Sequence, residues 1–548
     1  MNIEDSLLRL LVVAPLADRL DMVELSGWSR GAVYACVRSL CDGGFVESVP
    51  HASSLIARTR RFVLTVDGLV RVADTEGTTT EELLRNHPVS DEHLRLLVAR
   101  LDPVAVIYRL ASAIAVAARP VGIIWRRGAP QDADIALPSG SSLSAIRLGP
   151  TADRTSTSKR LYRFAQVSGG GAALVIVPDE VRMKHTRRLL ADSPVTAFTA
   201  LERKVAAATC ENRVWRTPST AATLNLRAIL DCIGPRSTAS GPDQRLRASE
   251  PAAIGYGGPE DESRSWLLPA LLKPAEKNAV DLIFEWPWIR QRHVAALLGI
   301  RRSRTSELLQ RLRHLGLVQH RNVGDHRRLT LTDRGLVFLA RRDRVSFGAL
   351  KKRWSPMPTD PEHAGDWRSV AGGRSRQLLR NIDHTEAVHR FVAMLARQAR
   401  SRSLEIVQID PPSKSARYFR HGPSVRSVHP DAYGALRRGD NTSHFFLEWE
   451  RRAVRPSTMA ARIAPYIRYF SSTRPQDDHG STPTVCVVFE NHLAQAQFVR
   501  IARQEMERTG VEIPLMVSRS ELVNDKGPLG PVWHSVDGDR DGASFPLS

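Results

Sequence analysis

One short plan is written twice in this chain, and the repeat narrows the folds open to it. Gly44-Phe45-Val46 is followed by an Arg-rich stretch and then by Leu64-Thr65-Val66-Asp67-Gly68-Leu69-Val70. Far downstream, Gly316-Leu317-Val318 is followed by an Arg-rich stretch and then by Leu331-Thr332-Asp333-Arg334-Gly335-Leu336-Val337. Each copy is preceded by an apolar-periodic helix whose Leu40 or Leu312 stands four residues before the Gly. Helix, Gly turn, strand, basic loop, returning strand and further helix together describe a winged helix-turn-helix. Two such modules on one basic chain point to double-stranded DNA.

With 548 residues, the chain has room for about three to four domains of about 150 residues. Its 78 Lys+Arg against 58 Asp+Glu give a net charge of +20. Such a balance favours polyanions, because Lys and Arg displace condensed counterions from phosphate backbones. An Arg-rich genome composition is the plainer source of the same charge. No apolar run reaches the about 18 residues of a membrane span. The first residues carry Glu4 and Asp5 where a signal peptide would be basic, so a cytoplasmic, nucleoid- or plasmid-associated protein is expected. Cys36, Cys41, Cys210, Cys232 and Cys486 lack the spacing of a zinc site or a disulfide framework.

Four blocks and a linker follow from the patterning. Residues 1–76 read as the first winged helix, with Ser29 capping a helix whose Val33, Val37 and Leu40 form one buried face. Residues 90–235 read as an α/β domain with strands near 121–125, 135–137, 173–177 and 195–199. Gly and Pro make 236–276 a linker or surface loop. Residues 277–345 are the second winged helix, and 380–535 repeat the element order of 90–235. In both α/β blocks a short strand bearing Asp (Asp134, Asp431) precedes a second strand and a helix with paired aromatics, Tyr162 and Phe164 or Tyr466 and Phe470. The expected fold class is therefore a mixed α/β multidomain chain built by tandem duplication. The alternative is two unrelated α/β domains that share an element order.

The two winged helices differ in charge. Residues 1–75 carry eight Arg against nine acids, whereas 301–334 carry nine Arg against three acids. Arg301, Arg302 and Arg304 crowd the start of the second recognition helix, with Ser303, Thr305 and Ser306 as hydroxyl donors. Arg311 and Arg313 follow on the helix, and Arg321, Arg327 and Arg328 lie on its wing. A helix N-terminus binds phosphate well, since free N–H groups add to the Arg charge. The first copy offers Arg30 and Arg38 on its helix and Arg58, Arg60 and Arg61 on its wing, which suits weaker DNA contact or a protein–protein role. A solvated basic face is the plain alternative for both clusters.

Residues 380–535 hold the one set of acids that resembles a catalytic site. His429-Pro430-Asp431 opens one strand and Phe445-Phe446-Leu447-Glu448-Trp449-Glu450 forms the next, with Glu448 and Glu450 on one face. Asp431 beside them would make three converging carboxylates, Asp431 and Glu448 being the first candidates for a metal. Mg2+ or Mn2+, hard cations preferring oxygen ligands, would be the cofactor only if that site is active. No GxxxxGK[ST] loop, GxSxG elbow or HExxH helix appears. His384 and His389 are spaced by five, off the face a helix-borne metal pair needs.

These residues resemble the PD-(D/E)XK nuclease fold, and more closely the replication-relaxation family of bacterial plasmids and mobile elements. His384, Pro430-Asp431, the strand Phe446 to Glu450 and the Tyr466/Tyr469 helix carry the resemblance, which covers about 280–520. It implies an N-terminal winged helix, a nuclease-like domain and a DNA-associated role in plasmid or mobile-element maintenance. The chain departs from the active pattern in placing Glu450 where a Lys is expected. The first block departs further, with Ser144 to Gly149 replacing the acidic strand. Three functions are thus expected: a duplex DNA-binding protein of plasmid replication, relaxation or transfer, a metal-dependent nuclease guided by its winged helices, or a winged-helix transcriptional regulator. Partners would be double-stranded DNA, a second copy of the chain, or replication and transfer proteins, with no membrane.

Overall fold

The computed structural model describes residues 2–168, 171–220, 222–233, 262–363, 366–450, 456–536 and 545. The chain is mixed α/β and divides into two compact units, Met1–Lys277 with Leu336–Leu350, and Asn278–Gly335 with Lys351–Ser548.

The first unit starts with helices Ile3–Val13, Arg19–Ser26 and Arg30–Asp42, a hairpin of Val46–His51 and Thr59–Leu64, and the helix Val66–Glu76. Each helix starts where a short polar side chain satisfies free amides: Asn2, Asp18, Ser29 and Thr65 all accept from the first turn. Leu7, Leu8 and Leu11 of the first helix and Val33, Val37 and Leu40 of the third supply the core. After Leu101–Ala117, a helix buried over most of its length, comes a seven-stranded sheet. From one edge it runs Gly122–Trp125, Ala133–Ala136, Ser142–Arg147, Ala172–Val177 and Thr196–Leu201, then two short strands. Ala172–Val177 is apolar and buried at every position, as a central strand in parallel pairing requires.

The second unit repeats the order. Helices Gln291–Leu298 and Arg302–His314 precede the hairpin Val318–Val323/His326–Leu331. Its six-stranded sheet runs Glu405–Asp410, Ala432–Arg438, Asn441–Glu450, Thr484–Phe489, Leu515–Arg519 and His534–Ser535. Successive pairings are antiparallel, antiparallel, parallel, parallel and antiparallel. The first unit's sheet shows the same series from Gly122–Trp125 to Trp215–Arg216. The helix Ile382–Ser401 covers the second sheet through Phe391, whose ring meets Phe445, Trp449 and Trp533.

The repeat extends to single backbone groups. The Phe45 and Leu317 amides donate to the Leu40 and Leu312 carbonyls, each at 3.0 Å. Gly44 and Gly316 sit at φ of 74° and 67°, a region that favours glycine. Leu16 and Trp288 share an unusual φ, 69° and 66°, although neither is glycine and both are fully buried.

Three expectations are corrected. Of the expected linker 236–276, residues 236–261 lie outside the described residues, but 262–276 carry regular structure. Glu262–Leu267 is a 3-10 helix, Leu268–Leu271 a helical turn, and Pro274 opens the helix Pro274–Glu285. Pro274 stands at a helix start, where Pro loses no hydrogen bond and so does not break the chain's structure, and Leu267, Leu268 and Leu272 are buried. Second, Asp132, not Asp134, matches Asp431. The Asp132 amide donates to Ala145 O and the Asp431 amide to Leu447 O, both at 2.8 Å, just before the paired strands. Third, the hairpin Arg417–His421/Ser424–Val428 went unread, its alternation lying on either side of Gly422 at φ 58°. No helix among the described residues is long and apolar enough to cross a membrane.

Candidate nucleic-acid interface and acidic site

The helix Arg302–His314 forms because Leu308, Leu309 and Leu312 bury one face at helical spacing. The opposite face carries Arg301, Arg302, Ser303, Arg304, Ser306, Arg311 and Arg313, all exposed. Its N-terminus has no side-chain cap, so the first-turn amides remain open beside three Arg. Its counterpart Arg30–Asp42 is closed by Ser29, whose Oγ accepts from the Ala32 amide at 3.3 Å. Arg327 is exposed beside the hairpin turn at Gly324, and Gln291, unnoticed in the sequence, donates to Ser306 Oγ at 2.6 Å.

Not every expected contact residue reaches the surface. Thr305 is fully buried, its hydroxyl donating to the Arg301 carbonyl at 3.0 Å. Arg328 is buried as well: its Nη1 lies 2.6 Å from Glu386 Oε2 and 3.3 Å from the Trp288 carbonyl. Alternation along the hairpin turns Arg328 inward and Arg327 outward. Arg321 is half-buried and donates to Pro356 O at 2.9 Å. In the first copy Arg30, Arg38, Arg58 and Arg60 are exposed. Arg61 is buried, held by Asp21, the Leu16 carbonyl and His51.

The acidic residues gather where the strand Ala432–Arg438 begins and its neighbour Asn441–Glu450 ends, both interior to the second sheet. Glu448 and Glu450 share a face, lining a small apolar cavity of about 90 Å³ with Arg462 and Tyr466. Tyr466 donates to Glu448 Oε1 at 2.5 Å, and Arg462 forms an ion pair with Glu450. Burial pushes the Glu448 carboxyl up to about 8, with the Asp431 charge adding to it, so it carries a proton at neutral pH. Asp431 is anchored differently: its Oδ2 accepts from the Trp449 amide at 2.8 Å and lies 3.1 Å from His384 Nε2. Burial tends to lower the pKa of the His384 imidazole, but the Asp431 carboxylate outweighs burial and the pKa is raised.

Among the described residues no group of three His, Cys, Asp or Glu side chains is disposed to hold a metal ion. Asp431 stands before its strand and turns to the Trp449 amide, while Glu448 and Glu450 follow the strand face. The residues present therefore do not fit a Mg2+ or Mn2+ centre. In the first unit the matching place is basic. Asp132 Oδ2 accepts from the Arg147 amide at 2.7 Å, as Asp431 does from Trp449, but Arg160 and Arg344 also pair with Asp132. Here Ile146 and Leu148 take the places of Glu448 and Glu450.

Fold and site thus define a mixed α/β protein in which a helix–hairpin module precedes each sheet. Residues 288–485 match the family model described as Replication-relaxation. The match runs from the left-handed Trp288 to Val485, and so includes Asp431, Glu448 and Tyr466. No curated protein and no solved structure matches the chain.

Proposed function

We propose that the chain is a duplex DNA-binding protein acting in plasmid or mobile-element replication, relaxation or transfer. The helix–hairpin modules are read as winged helix-turn-helix domains and the two sheets as a tandem pair of PD-(D/E)XK-like domains. The observation carrying the proposal is the exposed face of Arg302–His314. Its uncapped, Arg-lined N-terminus and the adjacent Arg327 match what a recognition helix and wing present to major groove and phosphates. The match of 288–485 to the Replication-relaxation family model supports the replicative setting.

The test is duplex binding by fluorescence anisotropy across a salt series. Replacing Arg302, Arg304 and Arg327 with Ala is expected to weaken binding strongly and to flatten log K against log salt by about 0.9 for each lost phosphate contact. The same treatment of Arg30, Arg58 and Arg60 is expected to do less. Equal losses from both sets would refute the assignment of the second module as the main contact.

The nuclease reading is favoured by one observation, the proximity of Asp431 to Glu448, whose carboxyl its charge pushes up, and opposed by the lack of a metal-holding group among the described residues. The regulator reading would need a deep apolar ligand pocket. The apolar cavity near Glu448 holds only about 90 Å³, below the roughly 300 Å³ at which small-molecule sites begin, and the larger cleft of about 430 Å³ beside Arg290, Arg328 and Glu386 is lined mainly by charged and polar side chains.

A further inference from the structure

In the first unit, a cleft of about 200 Å³ opens beside Arg160 and Arg344, the cations that hold Asp132. Its walls include Lys159, Arg160, Arg163 and Arg344. Two of these cations are committed: Arg160 and Arg344 hold Asp132 at 2.8 Å each. Asp343, the acid lining the cleft, is equally committed, accepting from Arg147, Arg342 and the amide and hydroxyl of Thr151. Lys159 and Arg163 are exposed. They lie with Tyr162 along one side of the helix Arg154–Val167, at three- and four-residue spacing. Tyr162 is 66% exposed, an uncovered aromatic ring between two cations.

The surroundings are basic too. The helix Arg154–Val167 contains Arg154, Lys159, Arg160 and Arg163 and no acid. The neighbouring helix Glu180–Ala191 adds Arg182, Lys184, Arg187 and Arg188 against Glu180. Between them the imidazole of His185 is pushed down to about 4, first by burial and then by Arg154, Arg188 and Arg182. A positive cleft next to an exposed aromatic ring is the combination that holds single-stranded nucleic acid, with phosphates in the groove and a base stacked on the ring. A duplex hides its base faces and cannot use the ring.

We infer that the first unit carries a single-strand nucleic-acid site, formed by the Lys159/Arg163 cleft and the Tyr162 ring, separate from the duplex-binding helix Arg302–His314. In this site Lys159 and Arg163 neutralise backbone phosphates, and Tyr162 stacks on a base. Arg160 and Arg344, fixed by Asp132, give the cleft a rigid floor.

The test uses the full chain and a labelled oligothymidylate of about 16 nucleotides, the upper end of single-site footprints. Tyr162→Ala is expected to weaken single-strand binding by about 5- to 150-fold, and Tyr162→Phe to preserve it. Lys159→Gln with Arg163→Gln is expected to lower the salt slope by about 0.7 per lost contact. Both variants should bind duplex as the parent does. Arg302→Ala with Arg304→Ala should retain single-strand binding, whether or not duplex binding falls, so the two assignments fail separately. Unchanged affinity in Tyr162→Ala, absence of single-strand binding in the parent, or its loss in the Arg302/Arg304 variant would each overturn the inference.

Discussion

Arg61 and Arg328 occupy the same position in the two halves of the chain. Each is buried on the returning strand of its hairpin and donates to the carbonyl of a left-handed residue, Leu16 at 2.8 Å and Trp288 at 3.3 Å. Each is also paired with acid, Arg61 with Asp21 and Arg328 with Glu386. The pair brings together the strained backbone and the charge that offsets it. Neither guanidinium is available to DNA.

Arg328→Ala should therefore act on stability. Removing one partner of a buried pair leaves Glu386 with Arg290, Arg292 and the more distant His293, and a loss of about 3 kcal/mol is expected. The urea midpoint should fall at unchanged slope, whereas Arg327→Ala should leave it within about 0.5 kcal/mol. A stable Arg328→Ala protein with selectively weakened DNA binding would contradict the interior role.

Gly335 and Gly68 mark a close approach of backbone to backbone. A Cβ at Gly335 would lie 2.4 Å from the Leu317 carbonyl oxygen, and one at Gly68 would lie 2.2 Å from that of Phe45. Ala at either place should cost about 1–3 kcal/mol, measured by chemical denaturation. Gly31→Ala is the control, since no atom lies within 4 Å of its added Cβ. A neutral Gly335→Ala would show that the helix shifts freely from the turn.

Acid should weaken the second unit early. Burial pushes His389 down to about 3, helped by Arg328 and His384, and pushes His293 down to about 2, helped by His389 and Arg292. The unfolded chain takes up these protons near pH 6.5, at about the free imidazole pKa, and the folded chain does not. Their contribution is thus complete above about pH 6.5 and declines as pH falls towards about 3. Denaturation midpoints should drop between about pH 8 and pH 5, less so in His389→Phe. A midpoint independent of pH over that range would refute the buried neutral assignment.

Supercoiled plasmid should remain intact when incubated with the protein and Mg2+ or Mn2+ if the described residues near Asp431, which form no metal-holding group, are the whole of the site. Gel analysis of nicked product is the measurement. Nicking that disappears in both Asp431→Ala and Glu448→Ala would reverse this and favour the nuclease reading.

Much of the local structure was legible in the sequence because it depends on near neighbours. Apolar periodicity marked the helix Arg302–His314, and the Gly turns marked both hairpins. Alternation in Phe445 to Glu450 put Glu448 and Glu450 on one face, where the cavity near Tyr466 finds them. What sequence could not reveal was which cations face inward: Arg327 and Arg328 are adjacent and chemically identical, and only the pleat and distant Glu386 separate them. Likewise Asp134 looked like the partner of Asp431, since strand residues are easy to recognise by pattern. Tertiary structure chose Asp132 because the match depends on a cross-strand amide bond. The fate of a charge is decided by its desolvation and by partners remote in the chain. Composition and periodicity could thus point to a helix–hairpin plan met twice and to its basic character, while folding decided which Arg residues hold the interior together and which lie exposed.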